Sequence, residues 1–466
     1  MSTINRINGV LASSIASIDN HNVSAITSIN GMLFASGSTI SGITNAGTQS
    51  NIITGGIDAN INGRGVELQL GRYVYIFAQA GNADNQDLTA IGVTQSGSTL
   101  TTSSSTTAVF NGTADFDPYA RGQAFGMIRL TDSKCVMICP EVGTGNVFKV
   151  CTYNGGTNNV TIDFTVNDGD TNNYIDRLPK FAVINKPSAN VYTIASVGLT
   201  KAGAFPYARV WDLDISSQTI TSRGILYPMG TGPASGNGMS QLVNLGTVGG
   251  KHCFAIFYVK SATSSGLLYY AVYEYNASTN TLVEAIGDTL YKSGSNHPML
   301  DAPWSIEDGR APLAYLDRIN YDVELTTCIW DGTTLTIGTP ASFGDSNRRG
   351  LEHTLRKYYN GQEDSKTQYI MGLGFWNSGS STGDVEVFPV YYNSSANTWD
   401  VSKYNSSDSD IVLEDTSNPT SGHSMRQPFV GQADTGHGIA LAAFRTQGIG
   451  TQFRGVVMNN FEITNS

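Results

Sequence analysis

Residues 240–246 (SQLVNLG), 251–260 (KHCFAIFYVK) and 270–284 (YAVYEYNASTNTLVE) decide the fold of this chain. The first two are apolar runs of strand length. In the third, an aromatic-rich strand meets a turn of Asn, Ala, Ser and Thr, and a second strand opens with Thr281 and Leu282. Apolar strands bounded by such turn residues are typical of β-hairpins, so this stretch predicts four short strands in succession.

The hairpin part of this pattern occurs seven times along the chain. The copies are AIGVTQSGSTLT (90–101), FKVCTYNGGTNNVTI (148–162), ARVWDLDISSQTITS (208–222), YAVYEYNASTNTLVE (270–284), TTCIWDGTTLTIG (326–338), VFPVYYNSSANTWDV (387–401) and RGVVMNNFEIT (454–464). The first apolar residues after the turns are Leu100, Val160, Ile220, Leu282, Leu335, Trp399 and Phe461, which follow one another at 60, 60, 62, 53, 64 and 62 residues. A period of this length indicates a repeat architecture.

Two further apolar runs precede the hairpins, as in AFGMIRL and CVMICP before the second copy. Each repeat therefore holds four strands, which is the content of one propeller blade. A β-sandwich needs no even period along the whole chain, and a β-helix has a shorter one. We predict an all-β fold, a seven-bladed β-propeller of four-stranded antiparallel blades with an N-terminal extended arm.

The repeat also divides the chain into three parts. Residues 64–466 form the propeller, residues 48–63 are a linker or closure strand, and residues 1–47 are an arm. Because a ring closes when its two chain ends meet in one blade, we predict that the last strand, FEITNS, packs beside VELQL or NIITGG near the N-terminus.

Composition excludes several classes of function. The formal net charge is −11 and the pI about 5.0, whereas a nucleic-acid groove needs clustered Lys and Arg to neutralise phosphates. The chain has no run of eighteen apolar residues, so we expect no membrane insertion. We assign no nucleic-acid partner.

The cysteines and histidines indicate neither a disulfide framework nor a metal site. Five cysteines, an odd number, lie within apolar runs such as KCVMICP, and we interpret them as buried free thiols. The six histidines are scattered, without a metal-binding motif. Asp168-Gly-Asp170-Thr-Asn172 resembles the start of a calcium loop but lacks its later glycine and glutamate, which favours a plain turn. We predict no metal, no cofactor and no catalytic residue.

The first 47 residues carry a different, shorter repeat. The units INRING, IASIDN and ITSING follow at an 11-residue period, and a degenerate unit, ISGITN, comes 14 residues later. Their apolar stripe consists of Ile4, Ile7, Leu11, Ile15, Ile18, Ile26, Ile29 and Leu33. An 11-residue spacing also suits a helix, but the Asn-Gly pairs and many Ser, Thr and Gly residues favour short extended segments joined by turns. A row of isoleucines that this segment cannot bury alone needs the propeller, another copy of the chain or a partner.

The runs INGV, SSIASI and SAITSINGM resemble the N-terminal repeats of tailed-bacteriophage virion proteins, where such segments are adaptors that hold a tail, collar or fibre-like protein to the particle. The resemblance covers about a tenth of the chain and implies a non-enzymatic virion component of tail or fibre type, assembled in the host bacterial cytoplasm and located in the virion. It further implies attachment to other virion proteins of tail, collar or capsid through residues 1–47, and a homo-oligomer within the virion. A head or collar decoration protein is the alternative role.

A second class of function is a carbohydrate-binding or carbohydrate-active propeller. Trp304, Tyr321 and Trp376 are candidates for stacking on a host-surface glycan, although packing in the core is the default for aromatics in strands. The densest acidic stretch contains Asp301, Glu307, Asp308, Asp317, Asp322 and Glu324. A glycosidase requires two carboxylates facing each other across a sugar, and the sequence spacing does not establish such a pair.

Overall fold

In the computed structural model, eight strands are described before residue 64. Seven have two residues and one is longer, and only their backbone is described. The remaining described residues are 64–79, 87–103, 107–110, 125–141, 144–171, 175–200, 206–228, 240–260, 267–294, 296–298, 300–302, 304–317, 322–344, 348–363, 366–377, 382–402, 404, 410–415, 425–432, 438–446 and 450–459.

The arm contains short strands that pair locally. They are β1 (Arg6–Ile7), β2 (Val10–Leu11), β3 (Ser17–Ile18), β4 (His21–Asn22), β5 (Ser28–Ile29), β6 (Met32–Leu33) and β7 (Thr44–Asn45). β1 pairs with β2, β3 with β4 and β5 with β6, each antiparallel. These three strand pairs follow one another at the 11-residue period. β8 (Ser50–Ile57) follows, within the predicted linker or closure segment.

The first three repeats then follow in chain order. The first contains β9 (Arg64–Gln69), β10 (Arg72–Gln79), β11 (Asp87–Ser96), β12 (Thr99–Thr102) and β13 (Thr107–Phe110). The second contains β14 (Gly126–Arg129), β15 (Lys134–Glu141), β16 (Gly145–Tyr153) and β17 (Val160–Asn167). The third contains β18 (Ile175–Asn185), β19 (Val191–Thr200), β20 (Pro206–Asp214) and β21 (Thr219–Leu226).

The later repeats are less regular. The fourth contains β22 (Ser240–Val248), β23 (Lys251–Lys260), β24 (Leu267–Asn276) and β25 (Thr281–Lys292). The fifth contains β26 (Asn296–Pro298), β27 (Leu300–Asp301), β28 (Arg310–Asp317), β29 (Asp322–Trp330), β30 (Leu335–Ile337) and β31 (Ala341–Phe343). The sixth contains β32 (Arg348–Glu363), β33 (Lys366–Asn377), β34 (Thr382–Asn393), β35 (Thr398–Asp400) and β36 (Asp410–Asp415), and the last contains β37 (Met425–Gln432), β38 (Gly438–Thr446) and β39 (Gly450–Asn459).

These strands form an all-β propeller with four-stranded antiparallel blades. Repeats two, three and four each form one sheet whose strand order follows the sequence, here called sheets 2, 3 and 4. Sheet 5 (β26, β28, β29, β30 and β31) and sheet 6 (β27 and β32–β36) have extra outer or inner strands. Neighbouring sheets pack face to face, as where Trp211 of sheet 3 meets Phe148 of sheet 2 edge-on, with ring centroids 5.2 Å apart.

The structure shows six blades rather than the seven predicted. The first and last repeats share one ten-stranded sheet, the closure sheet, in which β8 pairs with β39 and also meets β10. The link between β8 and β10 is one residue pair, Ile57 with Gln79. The sequence repeat predicted the first and last repeats as separate blades. Strand pairing between residues about 400 positions apart joins these two repeats in one sheet.

The closure differs in one respect from the expectation. The segment NIITGG lies in β8 and pairs with GTQFRGVVMN of β39, for example Ile53 with Phe453. FEITNS, the strand expected in this place, lies outside the described residues. β7 also pairs with β39, so the strand pairing of the ring begins at Thr44.

A recurring turn explains why the hairpin signature was visible in the sequence. Its first Asx side chain accepts the backbone N–H two residues on, as Asn276 does from Ser278 at 3.0 Å. Its last residue has a left-handed φ, which is 59° for Asn158, 54° for Asn280 and 52° for Asn397. In each of these three turns a tyrosine hydroxyl donates to that Asn: Tyr153 to Asn158 (2.7 Å), Tyr275 to Asn280 (3.1 Å) and Tyr392 to Asn397 (2.8 Å). Asn tolerates left-handed backbone, so the same residue fixes both the turn and the tyrosine.

Candidate functional site

A cavity of about 330 Å³ lies where the first strands of three successive repeats approach each other. Its wall is built from β9, β14 and β18, with Trp304 contributed from the fifth repeat. Residues from four repeats meet only near the axis of a propeller. We call this space the axial cavity.

Two glycines allow the strands around the axial cavity to come close. A Cβ atom on Gly126 would lie 2.1 Å from the ring of Phe181 in the neighbouring sheet. A Cβ atom on Gly65 would lie 2.5 Å from the ring of Phe429, at the seam between the first and last repeats. Both glycines line the cavity, so any larger residue there would push the wall apart.

Trp304 reaches the cavity from a segment that leaves the fifth repeat. Leu300 N–H donates to the buried Gln241 side chain of sheet 4 at 3.3 Å, and β27 pairs in parallel with β32 of sheet 6. The Trp304 ring stacks on Tyr369 at 5.3 Å, and its Nε1 donates to the Leu355 carbonyl at 3.2 Å. The indole is therefore fixed in orientation at the edge of the cavity.

The charged residues of the wall are mostly cationic. Arg64, Arg129 and Lys180 line the axial cavity, and Glu67 is the one carboxylate among the described residues that do so. Arg64 is 5 % exposed, whereas Arg129 is more open and forms an ion pair with Asp132.

Sequence reasoning missed these cations. Arg64, Arg129 and Lys180 belong to three different repeats and form no linear motif. The common signal is their position on the first strand of consecutive repeats, β9, β14 and β18. This shared position predicts that the three cations lie close together only if the first strand of each blade faces the axis.

Of the three predicted glycan contacts, the structure places one. Trp304 lines the axial cavity, while Tyr321 and the side chain of Trp376 lie outside the described residues. The predicted attachment residues Ile4, Ile15 and Ile26 also lie outside them. Ile7, Leu11, Ile18, Ile29 and Leu33 fall in the short strand pairs of the arm, described by backbone alone.

The acidic residues of the fifth repeat whose side chains the structure describes do not line the axial cavity. Glu307 is exposed and pairs with Arg310 at 2.8 Å, and Asp308 accepts the Thr247 N–H of sheet 4 at 2.8 Å. Burial, with the nearby charges of Glu324 and Asp317, raises the pKa of Asp322. Glu307 and Asp308 thus form contacts within a loop and with a neighbouring strand.

Asp168 and Asp170 join two blades instead of beginning a calcium loop. Asp168 accepts hydrogen bonds from Trp211 Nε1 at 3.1 Å and from Asn146 Nδ2 at 2.7 Å, and its carboxylate lies 3.1 Å from Arg209 Nη2. Arg209 also contacts Asp170 at 3.0 Å. The side chains of Asp168 and Arg209 are 0 % and 2 % exposed, so this is a buried ion pair between sheets 2 and 3.

The cysteines are buried free thiols, which confirms the prediction. Cys135 and Cys151 lie opposite each other on β15 and β16. Burial raises the pKa of the Cys151 thiol to about 12 and that of Cys253 to about 11, so both are protonated at neutral pH.

No group of three or more His, Cys, Asp or Glu side chains in the described part of the chain is arranged to hold a metal ion. Within that same part, no helix is both long and apolar enough to cross a membrane.

Comparison with known proteins finds similarity in fold only. No protein-family model matches the chain, and no curated protein matches it. Solved structures with a similar fold include the core factor of S. cerevisiae (8 % identity, TM-score 0.49, 91 % of this chain and 62 % of that one) and a protein of unknown function from Dyadobacter fermentans (11 %, 0.47, 90 % and 100 %). The β-propeller domain of the Trilobed protease from Pyrococcus furiosus is a third (9 %, 0.37, 85 % and 96 %). This chain spans less than two thirds of the core factor chain. The propeller assignment stands on the sheet topology of the chain itself.

Proposed function

We propose that this chain is a non-enzymatic structural protein of a tailed-bacteriophage particle, a tail or fibre-type component attached through its N-terminal arm and contacting the host surface. The observation that carries the proposal is the arm repeat. Its three strand pairs recur every 11 residues and pair with themselves, and the described arm first pairs with the ring at β7. The repeated apolar residues of this segment support an attachment role, because 47 residues cannot bury them alone.

The alternative for the arm is packing on its own propeller. Among the described strands of the arm, β6 approaches β32 of sheet 6. An arm that packed along its whole length on the ring would stabilise it. Particle attachment and ring stabilisation therefore predict different effects of removing the arm.

The test is deletion of residues 1–43, which retains β7 and every strand pairing of the ring. We expect the truncated protein to fold with an unchanged melting temperature and to be missing from particles assembled during infection. Mass spectrometry of purified particles measures incorporation. Unchanged incorporation would exclude the arm as the attachment element, and a lower melting temperature with unchanged incorporation would show that it packs on the ring.

Point substitutions sharpen this test. Ile7, Ile18 and Ile29 occupy equivalent positions in three units, and replacing all three by Asp places charges on the apolar stripe. The matched control places the same charges beside the stripe, at Asn5, Ala16 and Thr27. We expect the first variant to lose incorporation and the control to keep it.

A carbohydrate-binding propeller is the second candidate function, and the position of Trp304 in the wall of the axial cavity favours it. Aromatic faces bind the apolar faces of sugar rings, and a volume of about 330 Å³ lies within the range of small-molecule sites. Isothermal titration of the full chain with neutral and acidic sugars tests this function, and the absence of saturable binding by every sugar would exclude it.

A further inference from the structure

The axial cavity combines positive charge with a strongly acidic chain. The formal net charge of the protein is −11, yet among its described residues three cations and one carboxylate line this cavity. Random placement of charges on such a protein favours an acidic wall. The local reversal of sign is the first observation that points to a ligand.

The charged residues of the wall also interact with other groups of the protein. Arg129 pairs with Asp132, and Arg64, Lys180 and Glu67 also make polar interactions within the protein. Even when Asp132 is counted with Glu67, three cations face two carboxylates. Counted over the described lining residues, the wall carries more cationic than anionic side chains.

The uncharged part of the wall is rigid and largely apolar. Phe181 is 6 % exposed and fills the space that Gly126 leaves free, and the Trp304 ring is held by Tyr369 and the Leu355 carbonyl. Val66 and Met127 add aliphatic surface. A site of this kind offers flat or apolar faces for a ring beside cations for an anionic group.

We propose that the axial cavity binds a small anionic ligand, a carboxylate or a phosphate group carried on a ring of monosaccharide size. Guanidinium and ammonium groups form charge-assisted hydrogen bonds with both anions, and such bonds strengthen in a partly enclosed site. Arg64, Arg129 and Lys180 would hold the anion, and Trp304 and Phe181 the ring. This inference goes beyond the proposed particle attachment and is independent of it.

Isothermal titration of the full chain tests the proposal. The carboxylate probes are glucuronate and N-acetylneuraminate, the phosphate probes are glucose 6-phosphate and inorganic phosphate, and the neutral controls are glucose and N-acetylglucosamine. We expect saturable binding of at least one sugar acid or sugar phosphate, weakened by sodium chloride because salt screens exposed charges. The neutral sugars should bind at least about tenfold more weakly, the ratio expected when a charge-assisted hydrogen bond is lost.

The outcomes separate the two ligand sources. Preference for the sugar acids identifies a carboxylate ligand, and preference for glucose 6-phosphate identifies a phosphate ligand. Inorganic phosphate bound as tightly as the sugar phosphate, or neutral sugars bound as tightly as the acids, would overturn the proposal. So would the absence of saturable binding by every anionic probe. Tight binding of neutral sugars alone would support the carbohydrate-binding function and exclude the proposed site for an anionic ligand.

Substitutions locate the site. Arg129→Gln and Lys180→Gln should each weaken binding about tenfold, while Asp132→Asn should strengthen it a few-fold by releasing Arg129. Lys186→Gln is the control, because Lys186 is exposed and lies over the Tyr192 ring rather than in the cavity. Melting temperatures confirm that each variant is folded. Unchanged affinity in folded Arg129→Gln and Lys180→Gln proteins would rule out this site.

Discussion

Sheet 3 and the closure sheet are both antiparallel, but sheet 3 is built from consecutive strands and the closure sheet from both ends of the chain. All four strands of sheet 3 come from residues 175–226, and each pairs with its neighbour in sequence. The closure sheet pairs Ser50 with Gly455 and Ile53 with Phe453. The first kind of sheet depends on local hairpins, whereas the second requires both ends of the chain to be in place. Ring closure is therefore the step that makes the separate blades into one body.

The largest effect should come from removing β8. A chain lacking residues 1–57 leaves β39, among the described strands, paired with β38 alone, because β7 and β8 are both removed, and it loses hydrogen bonds that contribute about 1 kcal/mol each. Five residue pairs join β8 to β39 and two join β7 to β39, so we expect a loss of about 5–7 kcal/mol. Guanidinium denaturation measures it against the chain lacking residues 1–43. Equal midpoints for the two truncations would show that β8 does not hold the ring together.

Arg209→Met tests how the local sheets are joined. The ring is closed by backbone pairing, whereas sheets 2 and 3 are connected by side chains. Arg209 of sheet 3 forms an ion pair with the fully buried carboxylate of Asp168. Removing one partner of a buried pair leaves a desolvated charge, so we expect a loss of about 3 kcal/mol in urea unfolding.

The control is Arg223→Met, which breaks a more exposed pair with Asp212 inside sheet 3 and should cost about 1 kcal/mol or less. Equal losses for the two variants would contradict a special role for the buried pair.

Gly65→Ala probes packing at the closure seam and should have a smaller effect. The added methyl group meets the buried ring of Phe429 at 2.5 Å, and forcing the ring aside costs about 2 kcal/mol. Gly156→Ala is the control, because its Cβ would come no closer than 3.4 Å to another atom, Oδ1 of Asn154. Thermal melting compares the two, and equal melting temperatures would show that the seam has room for a methyl group.

Asn280→Ala should have the smallest effect, confined to one hairpin of sheet 4. It removes the acceptor for Tyr275 and places Ala at a φ of 54°, at a cost of about 1 kcal/mol. Asn280→Gly keeps the left-handed backbone and should lose less. A greater loss for Gly than for Ala, in the same urea titration, would show that the backbone conformation is not what selects Asn here.

The repeat of hairpins predicted the strands well because its causes are local. Tyr275, Asn276 and Asn280 fix the turn of their own hairpin, and the same residue types recur in the second and sixth repeats. The number of blades was wrong because a period counts units and says nothing about which strands pair across the chain. Trp304 was singled out by residue type, but its place beside Arg64, Arg129 and Lys180 follows from neither spacing nor composition.

The sequence by itself determined the all-β class, the four-stranded unit and the turn residues, since strand alternation and turn chemistry act over a few positions. The tertiary structure decided how β8 closes on β39, which glycines permit contact at the axis, and which charges share the axial cavity. Those features depend on residues hundreds of positions apart, and only the packing of whole sheets around one axis brings them together.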